Sequence, residues 1–336
     1  MTNDPVARSN ITADDLYRRS TQFRVWSYTK DKLVETRENT NENGRALAIK
    51  KFNISFETFK KDNSEIFESH KEELDPHTLI DLITLDEEIK YLNFYAKNIL
   101  EAAKYFKMST QVKSTALSFF KKFYLLNSVM QYHPKNILYT CLFLAAKSEN
   151  YFISIETFCK GLQKTEPKDI LDLEFTVLQS LKFTLLVHHP FRPLYGFFLD
   201  FQQVLSDIKI DEIGELYDQA KNWLNNYALL SDVSFLFTPP QIALAAMYDT
   251  NPNITNSYLS KKFKKLDTIK EGEVNGQTDY DLIFRTIENC IETAKQLIES
   301  TREESTKIDR KCFFAINPDK LINKKLKKIK QGLQPQ

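Results

Sequence analysis

The chain has 336 residues, with 46 Lys and Arg against 45 Asp and Glu, for a formal net charge of +1. Charges this evenly matched set up no overall field to draw the chain onto nucleic acid or an anionic membrane, so a protein is the expected partner. Hydrophobic residues make up 42% and charged residues 27%, with 7 Gly and 11 Pro, a mix that favours packed helices and places the chain in the all-α class.

The length exceeds what one core usually organises and predicts two domains with flanking tails. Cys141, Cys159, Cys290 and Cys312 form no CxxC pair, and three of them fall in apolar helical patterns, so reduced core thiols are expected. The first residues, MTNDPVARSN, lack the apolar stretch of a signal peptide, and no run approaches the roughly 18 apolar residues of a membrane span. A soluble, intracellular protein is expected.

In chain order, residues 1–12 read as a loose polar tail. From Asp14 to Asp31 aromatic residues (Tyr17, Phe23, Trp26, Tyr28) mix with arginines, which predicts docking on a folded surface. Thr29 can cap a helix running toward Arg37. The run NTNENG at 39–44 predicts a break, and from Arg45 to Leu79 a weak helical pattern alternates with polar patches. Then Leu85, Ile89, Leu92, Ala96, Ile99, Ala103 and Phe106 recur at alternating spacings of four and three, one face of a long amphipathic helix. A second helix is predicted from Thr110 to Asn127. Pro134 sits where a first-turn proline belongs, and Ile137 to Ala146 (ILYTCLFLAA) is apolar on every side, so other helices must surround it. Helices near Ile155 to Leu162 and Pro167 to Phe183 complete a group of five.

After His188-His189-Pro190 the plan restarts, with helices predicted at Phe191 to Leu205, Glu212 to Leu230, Pro240 to Tyr248, Thr255 to Phe263 and Tyr280 to Glu299. Pro240 before QIALAAMY answers Pro134, and the stripe Ile283, Ile287, Ile291, Ala294, Ile298 answers the fifth helix of the first group. The pattern is that of an internal duplication of about 100 residues. The charged, glycine-bearing stretch from Lys261 to Gln277 is the expected insertion. From Thr301 the composition is helical again, with Cys312, Phe313 and Phe314 apolar enough to dock, and the chain closes on the basic amphipathic DKLINKKLKKIK.

Residues able to carry chemistry are few. A phosphate-cradling loop needs clustered glycines; here they are scattered, and no Gly-Lys-Ser/Thr follows the nearest pair, Gly272 and Gly276. No GxSxG, HExxH or kinase-type HRD and DFG set occurs. No catalytic residue, cofactor or metal is expected. His188 and His189 have no cysteine or acidic cluster nearby, so a turn before Pro190 is expected instead of a metal site. Lys324 to Lys330 reads as a solvated face, an import signal or a phosphate contact. Two charges stand out. Lys147 ends the all-apolar helix, and Glu174 lies three or four residues from Leu171, Ile170, Val177 and Leu178. Each needs a partner, which the helix C-terminus could supply for the lysine and an internal ion pair for the glutamate.

The two five-helix groups, the third helix ending LFLAAKSEN and the fifth helix containing LEFTVLQSLKF resemble the cyclin box. KKFYLLNSVMQYHP, LLVHHPFRPLYGFFLD, LLSDVSFLFTPPQIALAA and STQFRVWSYTKDKL resemble more narrowly the cyclin H type, over about residues 17–300. The resemblance implies an all-α fold of two tandem five-helix cyclin boxes with flanking N- and C-terminal helices. The implied divisions are an N-terminal tail and helical extension at 1–80, cyclin boxes at 81–186 and 187–300, and a helical, basic tail at 301–336. By position it implies kinase contacts at Lys147 and Glu174, apolar contact from Leu178 and Phe183, and a border at Glu149 and Asn150. The second repeat has no matching lysine and glutamate, which places the kinase mainly on the first.

In function, the resemblance implies a regulatory subunit of a protein serine/threonine kinase and no enzyme. That kinase would be a cyclin-dependent kinase of the CDK-activating type in transcription factor IIH, acting on RNA polymerase II C-terminal repeats and on CDK activation loops. A third assembly subunit, core transcription factor IIH and a nuclear location are implied with it. The first helix, EEIKYLNFYAKNIL, lacks the MRAIL-like segment of cell-cycle cyclins, and no RxxL destruction box precedes it. Rival readings are a transcription factor IIB-like bridging protein, which would want an N-terminal zinc ribbon although no cysteine precedes Cys141, a cyclin-fold scaffold that binds without activating, and a transcription cyclin of the C, K or T kind.

Overall fold

The computed structural model describes residues 13–162, 164–267 and 279–332, which are helices and connections with no strand among them. The expected N-terminal tail at 1–12 lies outside these residues. In chain order the helices are α1 (Ala13–Arg19), α2 (Thr21–Trp26), α3 (Lys30–Asp62), α4 (Ser64–Ser69), α5 (Pro76–Leu79), α6 (Leu85–Tyr105), α7 (Thr110–Leu126), α8 (Pro134–Ser148), α9 (Ile155–Lys160), α10 (Pro167–Ser180), α11 (Phe191–Val204), α12 (Ile210–Trp223), α13 (Val233–Leu236), α14 (Pro239–Thr250), α15 (Pro252–Asp267), α16 (Asp279–Lys295), α17 (Arg302–Ile316) and α18 (Pro318–Gly332). They divide into two compact units, α3 to α10 with α17 and α18, and α1 and α2 with α11 to α16.

In the first unit α8 is the centre, with α6, α7 and α10 packed around it. Its apolar run explains this: of Ile137 to Ala146 every residue but Tyr139 is buried. Such a helix can satisfy its side chains only inside a bundle. Entry points follow cap chemistry. The Thr84 hydroxyl accepts from the Glu87 N–H while the Glu87 carboxylate accepts from the Thr84 N–H, Ser109 caps α7, and Pro134 opens α8.

The break expected at 39–44 is absent, and α3 runs unbroken from Lys30 to Asp62. Tertiary contacts outweigh the low helix propensity of these residues. Asn41 is buried and donates to Glu88 Oε2 at 2.6 Å, and Thr40 donates to the Leu125 carbonyl at 2.8 Å. Gly44 faces Ser128 so closely that a Cβ would come within 2.3 Å of the serine Cβ, an approach that the absent side chain permits. The same contacts shift the buried face of α6 at its start. Glu88 and Tyr91 are buried there instead of Ile89 and Leu92. Glu88 is tolerated because Asn41, Ser128 Oγ (2.8 Å) and the Val129 N–H (2.7 Å) all donate to its carboxylate.

The C-terminal helices belong to this unit. On α17, Cys312 is buried with its thiol donating to the Val129 carbonyl. Asp309 accepts from Tyr91 (2.5 Å), His133 Nε2 (3.1 Å) and Tyr95 (3.4 Å). The His133 Nδ1 accepts from the Lys135 N–H, which leaves Nε2 to carry the donated proton. On α18 Ile322, Leu326 and Ile329 pack with Phe52, Phe56, Phe67 and Leu74. The lysine-rich end is therefore docked along one side. Lys325 pairs with Glu73 at 3.2 Å, Lys330 donates to Asn63 at 3.0 Å, and Lys324 lies over the Phe314 ring.

In the second unit α14 takes the place of α8, with Ala243, Ala245, Ala246 and Met247 fully buried among α11, α12, α15 and α16. The docking expected for residues 14–31 is present. Trp26 is buried, Gln22 exchanges hydrogen bonds with the His188 backbone (2.6 and 3.1 Å), and the Tyr28 N–H donates to the Phe235 carbonyl. His188 thus lies in an irregular connection, with no turn before Pro190, and its backbone is held by Gln22. No group of three or more His, Cys, Asp or Glu side chains converges on a metal position among the described residues.

Four details depart from expectation. The helix expected over Glu212 to Leu230 changes at Leu224 to one π-helical turn, Leu224–Ala228, and the short α13 was not foreseen. Helix α15 extends through Lys261 to Asp267, so part of the expected insertion is helix, and 268–278 lies outside the described residues. Finally α16 ends at Lys295, before Ile298. The four cysteines are unpaired and buried, and burial pushes the Cys290 thiol up to about 12, which keeps it protonated and unreactive. No helix among the described residues is long and apolar enough to cross a membrane.

Candidate functional site

The two odd charges meet. Lys147, in the last turn of α8, forms an ion pair with Glu174 in the middle of α10. The lysine Nζ lies 4.9 Å from the centre of the Phe143 ring, so its stem and charge are held over an aromatic face of its own helix. The lysine side chain is 45% exposed and that of the glutamate 18%. The pair thus sits at the surface with one partner half covered, and each charge answers the other's need for a counterion.

Glu149 and Asn150 build the helix end that presents Lys147. The Asn150 backbone is left-handed, with φ 57°. Its N–H reaches the Lys147 carbonyl at 3.3 Å, and the Tyr151 N–H reaches the Ala146 carbonyl at 2.8 Å, the two-bond terminator that usually employs glycine. Glu149 accepts from Thr115 Oγ1 (2.6 Å) and Gln111 Nε2 (2.8 Å), tying this end to α7. Helix α10 ends in the same way. Lys182 and Phe183 are both left-handed (φ 52° and 56°), and the Phe183 N–H donates to the Leu178 carbonyl at 3.0 Å. That turn throws the Phe183 ring outward, 6.2 Å from the ring of Phe175.

Helix α10 is apolar on two sides. Ile170 and Val177 are buried against the bundle, while Leu171 is exposed and Phe175 is 65% exposed on the side of Glu174 and the half-buried Leu178. Phe152, two residues past the α8 terminator, is 94% exposed. Leu171, Phe175 and Phe183 are thus exposed apolar side chains on, or just past the end of, the helix that carries Glu174. The structure thus joins Lys147 to Glu174 and Phe183 to the outer face of α10, whereas Glu149 and Asn150 act through the backbone and α7. Sequence reasoning missed Leu171, Phe175 and Phe152 as surface residues. The available signal was an α10 with more apolar positions than one buried stripe requires.

Comparison with known proteins agrees with this architecture. Residues 65–186 match the family described as Cyclin, N-terminal domain, and residues 189–295 match Cyclin C-terminal domain. Cyclin CCL1 of Saccharomyces cerevisiae is 37% identical over 97% of this chain and 88% of its own length. Cyclin-H of Xenopus laevis is 34% identical over 70% and 68%. Among solved structures, a chain of the CAK complex from Chaetomium thermophilum bound to ATP-gamma-S matches with a TM-score of 0.73 at 28% identity, covering 96% of this chain and 97% of that one. A chain of the yeast TFIIK (Kin28/Ccl1/Tfb3) complex matches with a TM-score of 0.63 at 36% identity, covering 83% and 100%. The chain belongs to the cyclin family, whose members regulate kinases and do not catalyse their reaction, and within that family it is of the cyclin H type.

Proposed function

We propose that this chain is the regulatory subunit of a cyclin-dependent kinase of the CDK-activating type, a protein serine/threonine kinase working within transcription factor IIH. The kinase docks on the outer edge of α8 and α10. The observation that carries this assignment is the Lys147–Glu174 pair at the surface, with Leu171, Phe175 and Phe183 exposed on or just past the helix that bears Glu174. A preformed pair can be covered by a partner without leaving either charge unanswered, and each member retains hydrogen-bonding capacity for kinase backbone groups. Leu178 and Phe152 extend the apolar contact, and Glu149 and Asn150 border it by fixing the helix end.

Activation is a shift between two kinase states. The bound cyclin holds the kinase C helix inward, so that the helix glutamate pairs with the ATP-positioning lysine. Moving a kinase from 1:99 to 99:1 in favour of the active state takes about 5.5 kcal/mol of differential binding. Charge-assisted hydrogen bonds contribute roughly 1.5–3 kcal/mol each. The ion pair alone falls short, and burial of the exposed aromatic groups at roughly 25 cal/mol per Å² makes up the difference and supplies affinity.

The Chaetomium structure is a CAK complex, and the yeast complex holds Kin28, Ccl1 and Tfb3. By the same assignment this chain works with a kinase and a third assembly subunit, and the complex phosphorylates RNA polymerase II C-terminal repeats and CDK activation loops in the nucleus. The test is co-expression with the CDK-activating-type kinase of the same organism, followed by copurification and an assay on a C-terminal repeat peptide. The expected result is a stable complex much more active than the kinase alone. Binding without stimulation, with the third subunit also supplied, would make the chain a scaffold and overturn the proposal.

A further inference from the structure

The kinase assignment uses α8 and α10 and gives no role to the basic end of the first unit. Helix α18 packs on α3 and α17, with Ile322, Leu326 and Ile329 turned into the core. Its outer side carries Lys320, Asn323, Lys324, Lys327, Lys328 and Gln331, all exposed, and these line an open depression of about 630 Å³. Spacings of three and four place them on a single stripe, and from Lys320 to Lys328 the stripe runs about 12 Å along the helix.

The lysines of α18 are treated in two ways. Lys325 and Lys330, beside the stripe, are answered by Glu73 and Asn63. None of Lys320, Lys324, Lys327 and Lys328 forms an ion pair among the described residues, and Asp319 is the one acid of the helix. Lys320 Nζ lies 5.0 Å from the centre of the Phe313 ring and Lys324 Nζ 5.5 Å from that of Phe314, with Arg310 of α17 at 5.9 Å from the same Phe314 ring. These contacts fix where the charges stand without neutralising them. Cations three and four residues apart destabilise a helix, and Lys320 lies in the first turn, where the helix dipole disfavours a cation. Local choices that work against the fold concentrate at functional surfaces.

The ligand that answers such a stripe is a multivalent anion. Each phosphoryl group adds about −1.5 to −2 charges to a peptide. An extended peptide covers the length of the stripe in about four residues, so two phosphorylated side chains that close together meet it at once. The reaction assigned to the complex above makes phosphorylated peptides. No aromatic ring lines the stripe for bases to stack on, and a net charge of +1 supplies no wider field for a duplex. Both observations favour a phosphopeptide over nucleic acid.

We propose that the lysine stripe of α18 binds the phosphorylated repeat peptide that the kinase produces, so that a partly phosphorylated chain stays on the complex and is phosphorylated again. The inference rests on the kinase assignment above and adds a product-binding site on the cyclin itself.

The test uses the reconstituted complex of this chain, its kinase and the third subunit, with a synthetic repeat peptide that carries two phosphates three or four residues apart. Binding is read by fluorescence anisotropy. Joint substitution of Lys320→Gln, Lys324→Gln, Lys327→Gln and Lys328→Gln is expected to weaken binding about tenfold or more and to flatten its salt dependence. Kinase stimulation on a single-repeat peptide should be unchanged, and the melting temperature should hold or rise because like charges are removed. Arginine at the same four positions should preserve the affinity. With a many-repeat substrate in excess, the wild type should give heavily phosphorylated chains beside untouched ones, and the glutamine variant an even spread. Phosphopeptide affinity unaltered by the glutamine substitutions overturns the proposal. So does equal affinity for the unphosphorylated peptide, tighter binding of a single-stranded DNA of equal charge through the same lysines, or an even spread from the wild type. A wild-type complex that fails to stimulate the kinase counts against the parent assignment alone, because the anisotropy measurement does not depend on activity.

Discussion

The sequence Leu-Ala-Ala occurs twice in the central helices, at Leu144–Ala146 of α8 and Leu244–Ala246 of α14, and the two copies part at the very next residue. In the first unit that residue is the half-exposed Lys147, paired with Glu174 among exposed apolar side chains. In the second it is Met247, which is fully buried. Two residues later the helices agree again. Glu149 is held by Gln111 and Thr115 of α7, and Asp249 accepts from the Trp223 indole of α12 at 2.8 Å. Asp249 also pairs with Lys295 of α16 at 2.7 Å. One scaffold has thus been finished in two ways. The carboxylate that secures the helix end is kept in both, and the ion pair beside it uses the lysine of the central helix in one, Lys147 with Glu174, and the carboxylate itself in the other, Asp249 with Lys295.

The largest effect should come from removing the Lys147–Glu174 pair. Lys147→Ala with Glu174→Ala is expected to cut kinase activation at limiting cyclin about thirtyfold or more, the equivalent of roughly 2 kcal/mol, with circular dichroism unchanged. Unaltered activation would reject the assignment of that edge. Phe175→Ala should weaken kinase binding about tenfold, in the range of an exposed aromatic anchor, while leaving the melting temperature alone because the ring contributes little to the core. The mirror experiment is Asp249→Ala. It strands the Trp223 indole and Lys295, so the unfolding midpoint should fall by the equivalent of about 1–2 kcal/mol, with activation retained. If activation also fell, the two edges would not differ as described.

The smallest effect is acid sensitivity in the first unit. The Asp309 carboxyl is held below its usual range, first by the hydrogen bond from His133, against burial, and further by the bonds from Tyr91 and Tyr95. A depressed carboxylate contributes stability that is fully present above the unfolded value near pH 4 and is lost as pH falls through the folded value. Denaturation midpoints of Asp309→Asn should therefore decline less steeply than wild type below about pH 4. A parallel decline would show that α17 is not secured by this group.

What was readable in the sequence divides along physical lines. The run Ile137 to Ala146 announces a surrounded helix whatever its neighbours, because no surface position could accept it. Lys147 and Glu174 declared themselves as charges in apolar settings, but their pairing was not legible, since it joins different helices across the bundle. Asn41 and Gly44 misled because their helix-breaking tendency is local, whereas the contacts that reverse it come from Glu88 and Ser128, far along the chain. Phe175 and Phe152 were missed for a related reason. On an amphipathic helix or beside one, an aromatic residue reads as core until the packing shows which side faces out. The second-unit stripe at Ile287 and Ala294 was legible as buried, while its extension to Ile298 ran past the true helix end.

The docking of α18 also bears on how the chain is made. Phe52, Phe56 and Phe67 leave the ribosome about 250 residues ahead of Ile322, Leu326 and Ile329, and at about 5–20 residues per second the wait lasts roughly 10–50 s. Residues 186–295 emerge within that interval. The first unit thus begins before α11 to α16 and closes after them, with an aromatic surface uncovered in between. Until then these rings lack their apolar cover, and the arrival of α18 is the step that completes the first unit.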